Sequence, residues 1–128
     1  MTNVICLDNN YSTTRLLTKE KPYIVNNPND KFKKFLFFPT VEGKVVEGGL
    51  RVKGYFKKTY KDKPLISIVT AVFNGKDYLE DAILSVINQT YDNVEHIIID
   101  GGSTDGTLDI IKKYTDKIDY WISEKDKG

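Results

Sequence analysis

Hydrophobic residues in the second half of the chain follow first a strand pattern and then a helix pattern. Residues 65–73 form a nearly continuous apolar run rich in β-branched side chains, which is typical of a strand covered on both faces in a parallel sheet. From Tyr78 to Ile87, apolar residues recur at i, i+1, i+4, i+5, i+8 and i+9, which predicts one apolar face of a helix. We expect this helix to end near residues 88–90.

The same alternation continues towards the end of the chain. Residues 94–100 predict a second buried strand, and apolar residues at helical spacing between 108 and 115 predict a second helix after a glycine-rich turn. A third strand is predicted at 118–123, with Trp121 in the core. Right-handed crossovers between successive strands give a three-stranded parallel sheet with helices packed on it, so the predicted fold class is α/β with the order βαβαβ.

The first half of the chain has no sustained helical period. Short apolar patches alternate with turn-forming residues, the patches lying at 4–7, 23–25 and 32–38 and the turns at 26–30 and 47–49. Residues 33–38 favour a strand that Pro39 would end. This part of the chain is therefore predicted to be an irregular arm that packs on another element.

The charge distribution supports a division of the chain near Pro64. The 128 residues carry a net charge of +1, but residues 1–64 hold 13 Lys and Arg against 6 Asp and Glu, a net +7, and residues 65–128 hold 6 against 12, a net −6. We divide the chain into a basic, irregular N-terminal extension or linker at 1–63 and an α/β domain at 64–128. Because an open sheet edge exposes unpaired backbone groups, we expect a marginal or self-associating chain unless the extension covers that edge.

Composition excludes several classes of protein. The hydrophobic fraction of 40% and the charged fraction of 29% exclude a collagenous, coiled-coil or wholly disordered chain. The single cysteine, Cys6, excludes a disulfide scaffold, suits a reducing cytoplasm, and is interpreted as an incidental small residue rather than a nucleophile. No apolar run approaches the ~20 residues of a membrane span, so we expect a cytoplasmic protein.

Ligand chemistry is expected at the carboxyl ends of the parallel strands, where open α/β sheets bind their ligands. Loops at 70–76, 100–106 and 123–128 meet this condition, and the second holds three glycines ahead of a helix N-terminus that favours anions. The absence of G-x-G-x-x-G and of G-x-x-x-x-G-K-[ST] argues against a classical dinucleotide fold and a P-loop NTPase. From the residues alone, a nucleotide site and an ordinary βαβ turn are about equally supported.

Three motifs of the second half occur together and in order. They are SIVTAVFNG at 67–75, SVINQTY at 85–91 and DGGSTDGT at 100–107. The stretch 64–114 that contains them resembles the opening of a family 2 inverting glycosyltransferase of the GT-A fold, and SEKDKG at 123–128 resembles the segment that leads into that family's donor-sugar region. The resemblance implies that the chain carries the nucleotide-binding half of a Rossmann-like GT-A domain.

The resemblance also assigns nucleoside binding to six positions, which are Ala71, Val72, Phe73, Asn74, Asp100 and Asp126. The first four would line the uridine pocket, with Phe73 against the base. Asp100 would hold the uracil or the ribose, and Asp126 would approach the nucleoside from the end of the third strand. Many family members carry a second acidic residue where this chain has Gly101.

Other polar residues receive structural interpretations. Residues 103–105 are assigned mainly to helix capping. His96 is the only histidine and is expected to be structural, because no cysteine or second histidine could complete a metal cluster with it. The Lys- and Tyr-rich run at 53–63 is interpreted as a solvated linker with its aromatic side chains pinned to the domain, in preference to a surface for anionic lipid or nucleic acid.

By resemblance, the function is that of a bacterial transferase using a nucleotide-sugar donor, UDP-linked, with a glycan or lipid-linked acceptor in polysaccharide or cell-envelope synthesis. The family's Mg²⁺ or Mn²⁺ site, a D-x-D element, and its catalytic carboxylate are both expected beyond residue 128. The 128 residues alone are therefore expected to bind nucleoside but to be inactive. Oligomerisation and peripheral association with the inner face of the membrane stay open.

Two other classes of function remain as alternatives. The first is a non-catalytic α/β nucleotide-binding module or a truncated gene product, which would use the same loops without catalysis. The second makes the basic extension a nucleic-acid-binding arm, whose affinity would depend steeply on salt. We favour the transferase and expect no nucleic-acid partner.

Overall fold

The computed structural model describes residues 4–25, 27–29, 36–37 and 46–125 of the chain. The strands in this part are β1 (Val46–Gly48), β2 (Ile66–Val72), β3 (Val94–Asp100) and β4 (Tyr120–Ser123), the α-helices are α1 (Lys76–Ile87) and α2 (Thr107–Lys113), and 3₁₀-helices cover Ser12–Thr14, Leu50–Lys53 and Thr115–Lys117. The strands form one sheet in the order β1-β4-β3-β2. The strand predicted at 33–38 falls outside the described residues except for Leu36 and Phe37.

The predicted βαβαβ order of the second half is confirmed. β2, β3 and β4 are parallel, with Val72 opposite Asp100 and Asp100 opposite Ser123 at their carboxyl ends. Apolar side chains of both helices pack against one face of these strands, and each such fully buried side chain contributes about 1.5–3 kcal/mol to stability. This core, which includes the predicted Trp121, consists of Val72, Leu79, Ile83, Ile87, Ile98, Ile111, Ile118 and Trp121.

The burial of β2 differs from its prediction. Coverage of both faces was predicted, but Val69 is 59% exposed and Ala71, on the same face, is also exposed, so that prediction is wrong. The physical reason is the direction of the two crossovers. Both run from β2 through β3 towards β4, so right-handed connections put α1 and α2 on the same face. Val69 points to the face of the sheet opposite the helices. β2, which carries Val69, is also the last strand in the described sheet order.

A fourth strand comes from the N-terminal extension and pairs antiparallel with β4. Gly48 lies opposite Trp121, and the pairing continues where the Leu50 N–H donates to the Ile118 carbonyl at 2.9 Å. A Cβ at position 48 would lie 2.6 Å from the Trp121 indole, so glycine allows the two strands to approach. The turn predicted at 47–49 is wrong for its first two residues, because a three-residue strand is too short to show alternation. The extension thus covers the β4 edge of the sheet.

Two buried ion pairs join the extension to the rest of the sheet. Lys57 Nζ lies 2.5 Å from Asp119 Oδ2, with side chains 0% and 1% exposed, and it also donates to the Val94 carbonyl at 2.9 Å. Arg51 Nη2 lies 3.1 Å from Glu95 Oε1, and both of these side chains are nearly buried. Because a buried charge without its partner is strongly destabilising, these pairs fix the extension against β3 and the residues that precede β4.

The burial of Lys57 corrects the prediction of a solvated linker at 53–63. Phe56 beside it is also buried, and its backbone exchanges hydrogen bonds with Thr18 at 2.8 and 2.9 Å. The neighbouring Lys58 and Lys61 do reach solvent. The Lys-rich run therefore alternates between a face packed on the sheet and a solvated face.

In the described residues, no helix combines the length and the apolar character needed to cross a membrane.

Candidate functional site

The loops that follow β2 and β3 meet at the carboxyl ends of the parallel strands, as expected for a ligand site in this class of fold. The two loops are joined by hydrogen bonds, most of which run from backbone N–H groups after β2 to side-chain oxygens after β3. The four hydrogen bonds are Asn74 N–H to Ser103 Oγ (2.7 Å), Thr104 N–H to Asn74 Oδ1 (2.8 Å), Gly75 N–H to Thr107 Oγ1 (2.9 Å) and Lys76 N–H to Asp105 Oδ2 (3.3 Å).

Phe73 and Asn74 lie on the exposed side of this junction. The Phe73 side chain is 62% exposed, although a phenylalanine ring of this size usually contributes to a core. Asn74 has a φ of +49°, in the left-handed region that asparagine tolerates better than most residues. The backbone therefore turns sharply after β2 and leaves the Phe73 ring facing solvent at the strand ends.

Ala71 and Val72, the other two residues predicted from the first motif, differ in whether their side chains are accessible to a ligand. Ala71 is exposed on β2, whereas the Val72 side chain is part of the core under the sheet. The Val72 carbonyl accepts a hydrogen bond from the Gly101 N–H at 2.9 Å. Ala71 can thus offer its side chain to a ligand, while Val72 positions the strand end beside Gly101.

Gly101 leaves free space next to the Phe73 ring. A Cβ added at position 101 would lie 3.6 Å from Phe73 Cδ1, which is an ordinary van der Waals distance. Position 101 could therefore carry a side chain without a clash. Because it is a glycine, the backbone beside the exposed Phe73 ring is not covered by any side chain of that residue. This surface suits a planar group that stacks on the ring and approaches the backbone closely.

Asp100 ends β3 and is 1% exposed. Its Oδ2 accepts hydrogen bonds from the Gly102 and Ser103 N–H groups, at 3.3 and 3.1 Å, and from Ser123 Oγ at 2.7 Å. Its Oδ1 accepts the Ser103 hydroxyl at 2.5 Å. Ser123 was not singled out from the sequence. The available signal was its position at the end of the third strand, opposite Asp100 in a parallel register.

Asp126 lies outside the described residues, but the segment that leads to it returns to the site. The Glu124 N–H donates to the Asp100 carbonyl at 3.0 Å. Lys125 follows, and its Cα lies 2.8 Å from where a Cβ of Gly102 would be. Because Gly102 also has a φ of +86°, glycine is required there both by conformation and by the approach of this segment.

The N-termini of the two helices are occupied by side chains of the glycine-rich loop. Asp105 accepts hydrogen bonds from the Thr107 N–H at 3.0 Å and from the Thr107 hydroxyl at 2.5 Å, in addition to the Lys76 N–H. The bond from the Thr107 hydroxyl is the main reason that the pKa of Asp105 is lowered. The negative charge expected near these helix starts is therefore supplied by the chain itself.

His96 is fully buried in β3, away from these loops. Its Nε2 lies 2.8 Å from Thr70 Oγ1, and within the described residues its Nδ1 has no hydrogen-bond partner. Burial lowers the pKa of His96 to about 4. No three His, Cys, Asp or Glu residues of the described segments lie close enough to hold a metal ion. These segments therefore supply no ligand set for the Mg²⁺ or Mn²⁺ expected from the resemblance.

Comparison with known proteins identifies the segment that contains this site. Residues 67–128 match the family model described as Glycosyl transferase family 2. This segment belongs to glycosyltransferase family 2. The family 2 match begins inside β2 and includes both interlocked loops, so the resemblance of the three motifs is confirmed.

Curated relatives of the family 2 segment are bacterial glycosyltransferases. TuaG of Bacillus subtilis, named provisionally as a teichuronic acid biosynthesis glycosyltransferase, is 49% identical over 60 residues, which is 47% of this chain and 23% of that protein. An uncharacterized glycosyltransferase of Haemophilus influenzae is 52% identical over 54 residues, 42% of this chain and 22% of its own length. One from Rickettsia typhi is 46% identical over 61 residues, 48% of this chain and 19% of its length.

These relatives are much longer than the segment they share with this chain. The matched segment spans less than a quarter of each of the three. No solved structure matches the chain. The comparisons therefore establish the family of residues 67–128, but they do not identify the sugar donor, the acceptor or the activity of this chain.

Proposed function

We propose that the interlocked loops bind the nucleoside of a nucleotide-sugar donor, UDP-linked, for transfer of its sugar. The observation that carries the proposal is the exposed Phe73 ring, which is 62% exposed between two loops held by four hydrogen bonds. An aromatic ring fixed at the strand ends offers a face on which a base can stack. The bare backbone at Gly101 beside it gives the base and ribose room to approach.

The wider role of the protein extends this proposal. Membership of family 2 supports a transferase, and the name of the Bacillus subtilis relative, a teichuronic acid biosynthesis glycosyltransferase, supports a role in polysaccharide or cell-envelope synthesis. The acceptor in this proposal is a glycan or a lipid-linked molecule. A lipid-linked acceptor would place the reaction at the inner face of the membrane, with the nucleotide sugar arriving from the cytoplasm. No described residue is assigned to the expected Mg²⁺ or Mn²⁺.

Calorimetric titration of the chain with UDP tests the nucleoside site. Phe73→Ala should weaken UDP binding about tenfold, because stacking of a base on an aromatic side chain contributes about 1–3 kcal/mol. Tyr23→Ala is the matched control, since Tyr23 is 90% exposed, lies in the extension, and should leave the affinity unchanged. Equal affinities of the wild type and Phe73→Ala would remove Phe73 from the site. Absence of UDP binding by the wild type would contradict the proposal itself.

A further inference from the structure

Asp100 is the residue of the site that is most enclosed by the protein. Its side chain is 1% exposed and receives four hydrogen bonds, from the Gly102 and Ser103 N–H groups and from the Ser103 and Ser123 hydroxyls. An ionised carboxylate has about four positions at which it accepts hydrogen bonds. Three of these bonds share Oδ2 and one is made by Oδ1, and with 1% of the residue exposed neither oxygen is open to a base N–H or a ribose hydroxyl unless the surrounding loop moves.

We infer that Asp100 is a positioning residue, which orients the Ser103 hydroxyl and thereby fixes the loop that presents Phe73. The inference rests on the proposed nucleoside site and deepens it. It changes the role of Asp100 from a group that contacts the nucleoside to one that acts through Ser103.

The geometry of Ser103 supplies the link between the two loops. A serine hydroxyl has a single proton, and Ser103 donates it to Asp100 Oδ1. The Ser103 oxygen is then left with lone pairs, one of which accepts the Asn74 N–H at 2.7 Å. The carboxylate thus determines which way the hydroxyl points, and the hydroxyl in turn holds the backbone of the neighbouring loop.

Asn74 is the position at which this link affects the ligand surface. Its φ of +49° lies in the sparsely populated left-handed region, which a residue keeps only where surrounding contacts hold it. The Asn74 N–H is the amide that directly follows Phe73 in the chain. Loss of the bond to Ser103 should therefore free the backbone turn that directs the Phe73 ring into solvent.

Asp100 also holds the end of β4, through Ser123. The Ser123 hydroxyl donates to Asp100 Oδ2 at 2.7 Å, and the Glu124 N–H donates to the Asp100 carbonyl at 3.0 Å. One buried carboxylate therefore gathers the ends of β3 and β4 and, through Ser103, the loop after β2. This arrangement explains why a charged group is buried at the edge of an otherwise open site.

A coupled pair of substitutions tests the inference through UDP affinity. Ser103→Ala removes the link without altering the carboxylate. In Asp100→Asn the amide oxygen takes the place of Oδ2, which has three donors, so an NH2 donor faces the Ser103 hydroxyl where the acceptor Oδ1 was. Each should weaken UDP binding about three- to tenfold, and the double variant should bind no more weakly than the weaker-binding single variant, because both changes break one link. Ser85→Ala is the control, since Ser85 is exposed on α1, outside the two loops, and its hydroxyl donates to the Ala82 carbonyl of the same helix.

The opposite pattern would overturn the inference. If Asp100→Asn lowers UDP affinity tenfold or more while Ser103→Ala binds like the wild type, Asp100 contacts the nucleoside directly. If neither substitution changes the affinity, the link does not govern the site. Thermal unfolding of each variant, with a midpoint close to that of the wild type, verifies that affinities of folded proteins are compared.

Amide hydrogen exchange without ligand separates this inference from the proposed function. In both Ser103→Ala and Asp100→Asn, the Asn74 amide should exchange about threefold faster or more, as expected for the loss of one net hydrogen bond. An unchanged Asn74 exchange rate would refute the link whatever UDP does. If the wild type fails to bind UDP while the exchange rates rise as stated, the nucleoside site is wrong and the link between the loops stands.

Discussion

Replacement of Lys57 by Met is expected to lower the free energy of unfolding by about 3–5 kcal/mol. The Lys57 ammonium group is fully buried and is held by Asp119 and by the Val94 carbonyl. Met keeps most of the aliphatic volume but leaves the buried Asp119 carboxylate without a counter-charge, and burial already raises the pKa of Asp119 against the opposing effect of Lys57. Chemical denaturation followed by circular dichroism measures the loss.

Lys58→Met is the matched control for this substitution. Lys58 is the next residue, but its ion pair with Glu20 lies at the surface and contributes little, so the free energy of unfolding should stay close to that of the wild type. Adding Asp119→Asn to Lys57→Met removes the uncompensated charge and should restore a substantial part of the loss. Equal stability of the Lys57 and Lys58 variants would show that the extension is not held to the sheet by the buried pair.

Stability should also fall by about 2–3 kcal/mol between pH 7 and pH 4.5 because of His96 alone. Burial lowers the pKa of His96 from 6.5 to about 4 in the folded chain. Above pH 6.5 the imidazole is neutral in both states, whereas between pH 6.5 and about 4 the unfolded chain takes up a proton that the folded chain does not. Protonation thus favours unfolding as the pH falls through this range.

Comparison of the wild type with His96→Leu isolates this contribution. The chain has one histidine, so the variant has no other imidazole to titrate in that range. The difference in unfolding free energy between the two proteins should change by about 2–3 kcal/mol from pH 7 to pH 4.5, while contributions of the carboxyl groups cancel. Parallel pH profiles for the two proteins would refute the lowered pKa of His96.

The parallel part of the fold could be predicted from the sequence because its pattern is local. Continuous apolar runs and helical spacing define β2, β3, β4, α1 and α2, and the handedness of crossovers gives their arrangement. The face of β2 left uncovered was not predicted, since an apolar run alone does not show how many helices pack on each side. β1 pairs with a strand more than 70 positions away, and the partners of Lys57, Val94 and Asp119, lie 37 and 62 positions away, so no local pattern contained them.

The position of the candidate site was predictable for a similar reason, and its internal contacts were not. Glycine-rich turns at strand ends are visible in the sequence, and Phe73, Asn74 and Asp100 could be assigned to the site from the motifs that contain them. The bonds of Ser103 to both loops, and of Ser123 to Asp100, require the three-dimensional register of neighbouring strands. Whether Ala71, Val72, Phe73, Asn74, Asp100 and Asp126 bind nucleoside stays a prediction that the UDP titrations address.

The pairing of β1 with β4 has a consequence for synthesis on the ribosome. Val46 lies opposite Ser123, so a segment translated early finds its partner strand only when a much later segment has emerged. Arg51 lacks its partner Glu95 until β3 has been made, and Lys57 lacks Asp119 until the residues just before β4 have been made. Closing so long a loop carries an entropic cost before any contact offsets it. The contacts of the basic extension with the sheet are therefore completed only after β4 has been made, whereas Thr18 and Phe56 can pair within the extension earlier.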